Sequence, residues 1–321
     1  IILGFCMMIL VLVFVYAGFK YFGEVWSVPT DIRVTNIASR SATITWITEV
    51  PTKGVVIYAE SDDFLPGMLA KVGKEVALDD RDVSEAVLEA TGSLVDSSTG
   101  KVSLNEDIVA YVESERYYTH HVTVKDLDPE KTYYFRVGNG VRFTSSEDAL
   151  ADDEFTAGEK FNFSTFGETD TLLVPNPSYG SVTADGTGVT DGIFYMVVDY
   201  DSGQVMSSPL STTLNDEGNW YVDLSNARTL EGELVDGLSE TEDFETVYVN
   251  AGPLGESEII ANRMDNDAPM PTIEVSVGEG TDVQSDGAEE SKTPFVSYVS
   301  ANSSKCVSSD HCTSMSPANK A

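Results

Sequence analysis

The sequence predicts a mainly β protein with a long apolar helix at its N-terminal end, two β-sandwich domains and a polar, acidic C-terminal tail. Residues 1–19 contain no charged side chain. Between residues 28 and 268, short segments of alternating apolar and polar residues are separated by Pro, Gly, Asn and Asp, as in β-strands joined by turns. Residues 269–321 are rich in Ser, Gly, Asp and Glu, a composition that cannot bury a core alone.

Length and charge limit the classes of function. The chain has 321 residues, which is enough for a terminal helix and about two domains of ~100–150 residues each. Its formal net charge is -34, from 53 acidic and 19 basic side chains. Negative charge on this scale repels nucleic-acid phosphates and anionic lipid headgroups. We therefore expect no nucleic-acid partner, and a soluble exterior suited to extracellular or saline surroundings.

The first element is the apolar segment, which we assign to residues 1–26. Its residues are mainly Ile, Leu, Val, Phe and Met, and Lys20 is the first charged residue. A helix of about 20 such residues covers the ~30 Å hydrocarbon layer of a bilayer. Tyr16, Tyr21 and Trp26 lie where an interfacial aromatic belt is expected. This segment is predicted to be either a membrane span or a helix of a filament core.

The apolar segment also resembles the N-terminal helix of type IV pilins, in particular the archaeal type. The chain begins at Ile rather than Met and no basic region precedes the apolar run, so we expect processing before the helix. Bacterial type IV pilins usually carry Glu at the fifth position, where this chain has Phe5. The resemblance implies a homopolymeric extracellular filament on the cell surface, with a membrane-embedded precursor. The assembly helix would use Ile1, Phe5, Leu12, Phe14 and Phe19.

The alternative to a filament subunit is a single-pass, membrane-anchored surface adhesin or spacer with the same domains. In both cases the β domains would be exposed for contact with a surface receptor or with other cells. A basic leader immediately before the apolar run would favour the filament, and an upstream cytoplasmic domain would exclude it.

The first β domain is predicted over residues 28–166. Alternation around Trp46, and a segment in which Leu127 is followed by Tyr133, resemble a fibronectin type III domain. The resemblance implies that Trp46 lies in the core between two sheets. It also implies that Leu127 and Tyr133 belong to a tyrosine corner. A long insertion, at about residues 64–117, departs from the pattern of that family.

The second β domain is predicted over residues 170–268. The apolar run Ile193–Tyr200 predicts a strand of a hairpin, and an Asp-Glu-Gly-Asn turn precedes Trp220. This segment resembles transthyretin-like and carboxypeptidase-regulatory-like β-sandwiches. The resemblance implies a spacer or an adhesive unit, with Trp220 in its core.

The acidic tail, residues 269–321, contains two short segments with strand-like alternation, 272–277 and 294–299, either of which could extend a sheet edge. Cys306 and Cys312 could close a small disulfide loop in an oxidising compartment. Together with His311 they could instead contribute three ligands to a zinc ion, which normally takes four.

No motif in the sequence predicts catalysis. His120 and His121 are adjacent, so on a strand they point to opposite faces and cannot act on one metal or nucleophile. The chain contains no Gly-x-Ser-x-Gly elbow, phosphate-binding glycine loop or His-Glu-x-x-His pair. We therefore predict that the protein is not an enzyme, has no catalytic residue and needs no organic cofactor.

Calcium is a second ion for which the sequence offers candidate ligands. Hard cations prefer clustered carboxylate and carbonyl oxygens, and short acidic runs occur at residues 79–82 of the first domain and at two places in the second domain. The candidate ligands are Asp199, Asp201, Asp265 and Asp267. Solvated acidic turns would have the same sequence, and that reading stays open.

Overall fold

The computed structural model of the chain describes residues 27–65, 73–82, 95–96, 101–102, 115–144, 160–169, 171, 174–200 and 205–276. The mainly β, sandwich-like class is confirmed in these ranges. The predicted apolar helix with its assembly residues, the pair Cys306 and Cys312, and the strand-like segment 294–299 lie outside them. Within them, no helix is long and apolar enough to cross a membrane.

The first sandwich is built from residues 30–164. Its strands are β1 (Thr30–Thr35), β2 (Ala42–Thr52), β3 (Val55–Ala59), β4 (Glu75–Leu78), β7 (Tyr117–Val124), β8 (Thr132–Gly138), β9 (Phe143–Thr144) and β10 (Asn162–Ser164), with the short pair β5 (Val95–Asp96) and β6 (Lys101–Val102) between β4 and β7. One sheet has the order β1-β2-β7, and the other has the order β10-β8-β3-β4 with β9 beside β8. This arrangement of a three-stranded sheet against a five-stranded sheet is a fibronectin-III-like β-sandwich.

Alternation along the strands places the apolar side chains between these two sheets. Trp46 is fully buried there, and its ring stacks on that of His120 with 4.8 Å between centroids. Leu127 and Tyr133 also belong to this core. The Tyr133 hydroxyl accepts a hydrogen bond from the main-chain N–H of Asp128 at 2.9 Å, which ties the β7–β8 connection to the sheet.

The second sandwich spans residues 177–274. Its strands are β11 (Pro177–Ala184), β12 (Thr187–Gly188), β13 (Ile193–Tyr200), β14 (Val205–Met206), β15 (Leu210–Thr213), β16 (Asn219–Asp223), β17 (Phe244–Asn250), β18 (Ile260–Arg263) and β19 (Ile273–Glu274). Short 3₁₀ helices follow at Leu224–Asn226, Gly252–Leu254 and Met264–Asn266. One sheet has the order β14-β13-β17-β18 with β15 beside β13, and the other has β12-β11-β16.

In the second sandwich Trp220 stacks on Phe194, with 3.7 Å between ring centroids and 12° between ring planes. The predicted strand over 193–200 pairs antiparallel with β14. From the acidic tail, β19 joins β11 in parallel, so this part of the tail extends a sheet of its own chain.

The two sandwiches pack face to face through the outer surface of the β1-β2-β7 sheet and the β13–β17 face of the second sandwich. Ile47 of β2 packs there against a cluster formed by Ile193, Tyr195, Val197 and Tyr248. The alternate β13 residues, including Phe194, point into the core of the second sandwich. Strand β13 is therefore buried on both faces, which explains why its sequence is a continuous apolar run rather than an alternating one.

Candidate functional site at the interface between the sandwiches

Arg81 lies at the interface and holds carboxylates from both sandwiches. Its Nε and Nη2 donate to the two carboxylate oxygens of Asp79 at 2.9 and 3.0 Å, and Nη1 donates to Asp191 of the second sandwich at 3.3 Å. Its Cζ lies 3.6 Å from the centroid of the Tyr117 ring. Nη2 also donates to the main-chain oxygen of Thr119. This guanidinium is engaged on its edges and on one face, so it fixes the relative orientation of its partners.

Asp191, in the turn before β13, binds the start of β7 in the first sandwich. Its carboxylate accepts the main-chain N–H of Tyr118 at 2.7 Å and that of Thr119 at 3.2 Å, together with the Thr119 hydroxyl at 2.6 Å. Hydrogen bonds to an ionised acceptor are the stronger class in proteins. A single side chain of the second sandwich therefore satisfies three donors of β7 in addition to Arg81.

His121 forms a second link between the sandwiches. Its Nδ1 lies 2.7 Å from Asp80 Oδ2, and its Nε2 lies 3.0 Å from the hydroxyl oxygen of Ser211 on β15. The chain of contacts from Asp80 through His121 to Ser211 has the same arrangement as the Asp-His-Ser triad that activates a nucleophilic serine. However, Ser211 is only 6% exposed, and its hydroxyl is also 2.6 Å from that of Thr35. The contact leaves no space for a substrate at Ser211, so we assign it to holding the domains together.

Asn36 adds a main-chain connection beside His121. Its side-chain amide accepts from the N–H of Ser211 at 2.9 Å and donates to the carbonyl of Ser211 at 2.9 Å, while its own N–H donates to the carbonyl of Pro209 at 2.9 Å. Asn36 has a positive φ of 50°, which Asn tolerates better than most residues. The end of β1 is thus joined to β15 in the manner of an extra strand pair.

A buried arginine occupies the far side of the interface. Arg33 pairs with Asp31 at 2.7 Å and lies over the rings of Tyr195 and Tyr248, with 5.0 and 5.5 Å to their centroids. The Tyr195 hydroxyl donates to the Thr45 hydroxyl at 3.0 Å. Burial raises the pKa of Tyr195 far above its usual range, so it remains a neutral donor.

The ion pairs explain how charged groups remain stable in this interface. Burial alone would raise the pKa of Asp79, but the charge of Arg81 and hydrogen bonds from His120 and Arg81 outweigh it and hold the pKa well below its usual range. For His120, burial dominates over the nearby Asp79 and lowers the pKa. The fold therefore favours an ionised Asp79 beside a neutral His120.

The residues predicted as calcium ligands do not converge on one described site. Asp199 hydrogen-bonds to the Thr246 hydroxyl at 2.5 Å, and burial raises its pKa. Asp265 pairs with Arg263 at 3.3 Å on the surface. Asp201 lies outside the described residues. In the part of the chain that the structure describes, no group of three or more His, Cys, Asp or Glu side chains is placed to hold a metal ion.

Asp267 has a neighbour that the sequence did not predict, the buried carboxyl group of Glu245 on β17. Glu245 is fully buried. Burial and the nearby Asp267 carboxyl raise the pKa of Glu245, and burial also raises the pKa of Asp267. The two acidic side chains hydrogen-bond to each other, and the Asn262 side-chain amide donates to Glu245 at 3.4 Å.

The interface residues were missed because the outward faces of β1, β2 and β7 are rich in Thr and charged groups, as a solvent-exposed face would be. Arg33, Arg81, Asp191 and Ser211 carry no motif. The one available signal was β13, since an uninterrupted apolar strand requires cover on both faces. Its outer face needed a partner, and the first sandwich is that partner.

Comparisons with known proteins place part of the chain near a phosphatase family. Residues 29–151 match the family described as purple acid phosphatase, N-terminal domain. No curated protein matches. Among solved structures, PhoD is 11% identical with a TM-score of 0.22, over 48% of this chain and 21% of that chain. The chicken CNTN1 FN1–FN3 domains are 10% identical with a TM-score of 0.20, over 77% of this chain and 66% of that chain. The central fibronectin-III array of RIM-binding protein is 14% identical with a TM-score of 0.19, over 73% of this chain and 62% of that chain.

The family match corrects one prediction. The absence of catalytic motifs predicted a protein that is not an enzyme, and this prediction is wrong, because residues 29–151 match a domain of a phosphatase family. Motif searches could not detect the relationship, since it rests on a β-sandwich segment whose residues serve packing and strand pairing. The chain spans about a fifth of the PhoD chain, so the activity of that whole protein is not transferred to it.

Proposed function

We propose that this chain is a structural protein of the cell surface, in which the two sandwiches form one rigid arm attached through the apolar N-terminal segment. The observation that carries the proposal is the interface in which Arg81 binds Asp79 of its own sandwich and Asp191 of the other. A flexible pair of domains would not bury charged groups between its members, because each opening would leave them without partners.

Several polar contacts hold the interface. It contains the Arg81 and Asp191 network, the His121 link, the Asn36 connection and the Arg33 aromatic site. Polar contacts at several separated points restrain rotation in more than one direction, whereas a single contact would act as a hinge. Such an arm keeps a fixed distance between its attachment point and its distal surface, as a spacer or a filament subunit requires.

For the mode of attachment we propose self-assembly of the apolar helices into a filament core, with the sandwiches outside. Burying about 1,000 Å² of apolar surface per helix corresponds to about 25 kcal/mol gross, which favours polymerisation once the helix leaves the bilayer. The net charge of -34 means that neighbouring arms repel, so counter-ions would be needed where they pack closely. Membrane anchoring of single copies is the alternative.

The proposal is tested by shearing the producing cells, examining the released material by negative-stain microscopy and sequencing the N-terminus of the main band. Filaments whose subunit begins at Ile1 support the filament. Retention in detergent-extracted membranes supports the anchored spacer. Recovery of the native protein in the cytosolic fraction contradicts both forms of the proposal.

A second candidate function follows from the match of residues 29–151 to the purple acid phosphatase N-terminal domain. In this case the first sandwich would serve phosphate-ester hydrolysis as an accessory to a catalytic unit. Because the match is to a phosphatase family, divalent metal ions belong in the assay. Hydrolysis of p-nitrophenyl phosphate by the purified full chain, above that of heat-denatured protein and of a mock purification, would support it. Equal rates in the three samples would argue against activity in the chain itself.

A further inference from the structure

We propose that Arg228 and Ser208 form a binding site for a carboxylate at the junction of the two sandwiches. The inference goes beyond the proposed function and does not depend on it, because it rests on two hydrogen-bond donors that have no acceptor among the described residues.

The first step is the placement of the two side chains on one face of the sheet. Ser207 and Thr229 form an antiparallel bridge, and the N–H of Ser208 donates to the carbonyl of Arg228 at 2.6 Å. Ser208 therefore lies directly opposite Arg228, and side chains of opposed residues share a face, with about 4.5–5.5 Å between their Cβ atoms. Ala227 belongs to the core of the second sandwich, so alternation turns Arg228 to the outer face.

The first sandwich contacts the chain on both sides of this pair. The main-chain N–H of Asn36 donates to the carbonyl of Pro209, one residue after the serine. Phe166, which follows β10, packs against Gly232 in the turn after Arg228, and an added Cβ at Gly232 would overlap its ring. The two donors therefore lie at the rim of the interdomain interface, where Arg228 keeps partial exposure to solvent.

The second step is that neither donor has an acceptor. Ser208 is 3% exposed, and its hydroxyl oxygen has no hydrogen-bond partner among the described residues. Nη1 of Arg228 is buried and likewise has none. A buried polar group without a partner is costly, and in native proteins such a group usually binds a water or a ligand.

The charge of Arg228 is also uncompensated. Burial lowers the pKa of this guanidinium, and no carboxylate of the described residues offsets the effect. For Arg33 and Arg81 burial acts in the same direction, but their paired carboxylates outweigh it and raise the pKa. A bound water would satisfy the N–H group of Arg228 but would leave its positive charge without a partner, whereas an anion supplies both.

The chemistry of the donors selects the class of ligand. A guanidinium has only N–H donors, and a serine hydroxyl can donate its hydrogen. A carboxylate presents two oxygens in one plane, which match two parallel N–H groups of a guanidinium and leave lone pairs for the hydroxyl. Chloride has a single acceptor atom and cannot form this bidentate pair.

Charge favours a carboxylate over a phosphate. The site offers one positive charge, and Glu231 and Glu233 are exposed in the segment that follows it. The net charge of the chain is -34. A phosphate group carries a charge of about -1.5 to -2 near neutral pH, so this surrounding repels it more strongly than it repels a singly charged carboxylate.

The test replaces sodium chloride with sodium acetate at constant ionic strength and neutral pH, and follows thermal melts of the full chain. Acetate at about ten times its Kd should raise the melting temperature of the unsubstituted protein by about 3–6 °C more than that of Arg228→Gln. The comparison with the variant is needed because salts also stabilise folded proteins by exclusion from their surface.

Further variants separate ligation from folding. Arg228→Lys keeps the charge but loses the bidentate geometry, so it should give a smaller rise, as should Ser208→Ala. In chloride alone, Arg228→Gln should not lower the melting temperature, because it removes an unpaired charge that is costly to bury. The matched control is Arg263→Gln, since Arg263 pairs with Asp265 on the surface, and it should keep the full rise.

Two ligands distinguish the source of the carboxylate. A rise with acetate alone supports a site for a small acid. A rise with a blocked Gly-Glu-Gly peptide as well, but not with Gly-Gln-Gly, supports a site for an acidic side chain of a partner protein.

Four outcomes would overturn the proposal: equal acetate effects on the unsubstituted protein and Arg228→Gln, loss of the rise in Arg263→Gln, a larger difference with phosphate than with acetate, or a lower melting temperature of Arg228→Gln in chloride. Ser208→Ala removes a single oxygen atom, so it keeps the test available if the Arg228 variants fail to fold. An undiminished rise in Ser208→Ala would also contradict the site.

Discussion

The carboxylate of Asp191 in the second sandwich accepts the main-chain N–H of Tyr118 in the first at 2.7 Å. The same carboxylate binds Thr119 and lies 3.3 Å from Arg81. One short turn of the second domain therefore organises the start of β7 and the charged centre of the interface. The same side chain therefore holds the start of β7 and links the two sandwiches.

Asp191→Ala is expected to lower the free energy of unfolding by about 2–4 kcal/mol, because it leaves the donors of Tyr118 and Thr119 without an acceptor and removes one partner of Arg81. Chemical denaturation followed by fluorescence measures the change. Glu231→Ala removes the same charge from an exposed position and is expected to change stability by less than about 0.5 kcal/mol. Equal effects of the two changes would contradict the role of Asp191.

Gly54→Ala is expected to cost about 2–3 kcal/mol, since the new methyl group would lie 2.8 Å from His120 Nδ1 and 2.9 Å from Asp79 Oδ2. Both neighbours are buried, so neither can move away easily. The control is Gly167→Ala, where the nearest atom is 3.6 Å away. Thermal melts of both variants provide the comparison, and a neutral Gly54→Ala would show that this packing is looser than described.

His120 gives stability a dependence on pH. Its pKa in the folded state lies below the unfolded value of about 6.5, so the unfolded state takes up the proton first as pH falls. The stability that the neutral His120 contributes to the fold is fully present above about pH 6.5. It is lost as pH falls toward the pKa of His120 in the folded state, by at most ~1.4 kcal/mol per pH unit. Denaturation of wild type and His120→Gln between pH 7.5 and 5 (about the range that the His titration spans) should show a shallower slope for the variant. Parallel slopes would contradict a neutral, buried His120.

Tyr133→Phe is expected to destabilise the first sandwich by about 1 kcal/mol, because the N–H of Asp128 loses its acceptor. Tyr221 is 54% exposed, and Tyr221→Phe serves as the control with no expected change. Urea denaturation distinguishes them. A Tyr133→Phe variant as stable as the control would mean that the corner contributes by packing alone.

The sequence predicted the sandwich class and the burial of Trp46 and Trp220 well because alternation and aromatic residues report directly on which face of a strand is covered. It did not predict the interface, since Thr35, Thr45 and Thr119 suit a solvated face as well as a polar contact. Asp191 meets Arg81, and Ser211 meets His121, only because of how the two domains are placed relative to each other. No local sequence pattern encodes that placement. Glu245 was missed for the same reason, because its partners come from separate parts of the chain.

The most direct test of the rigid arm is the distance between two spin labels, one on each sandwich, measured by pulsed electron resonance on the full chain. Labels at the exposed positions Lys125→Cys and Asp216→Cys are suitable once Cys6, Cys306 and Cys312 are replaced by Ser. A rigid arm should give a single narrow distance distribution that broadens in Asp191→Ala. A broad or multiple distribution in the protein with Asp191 intact would contradict it, because the two sandwiches would then move independently.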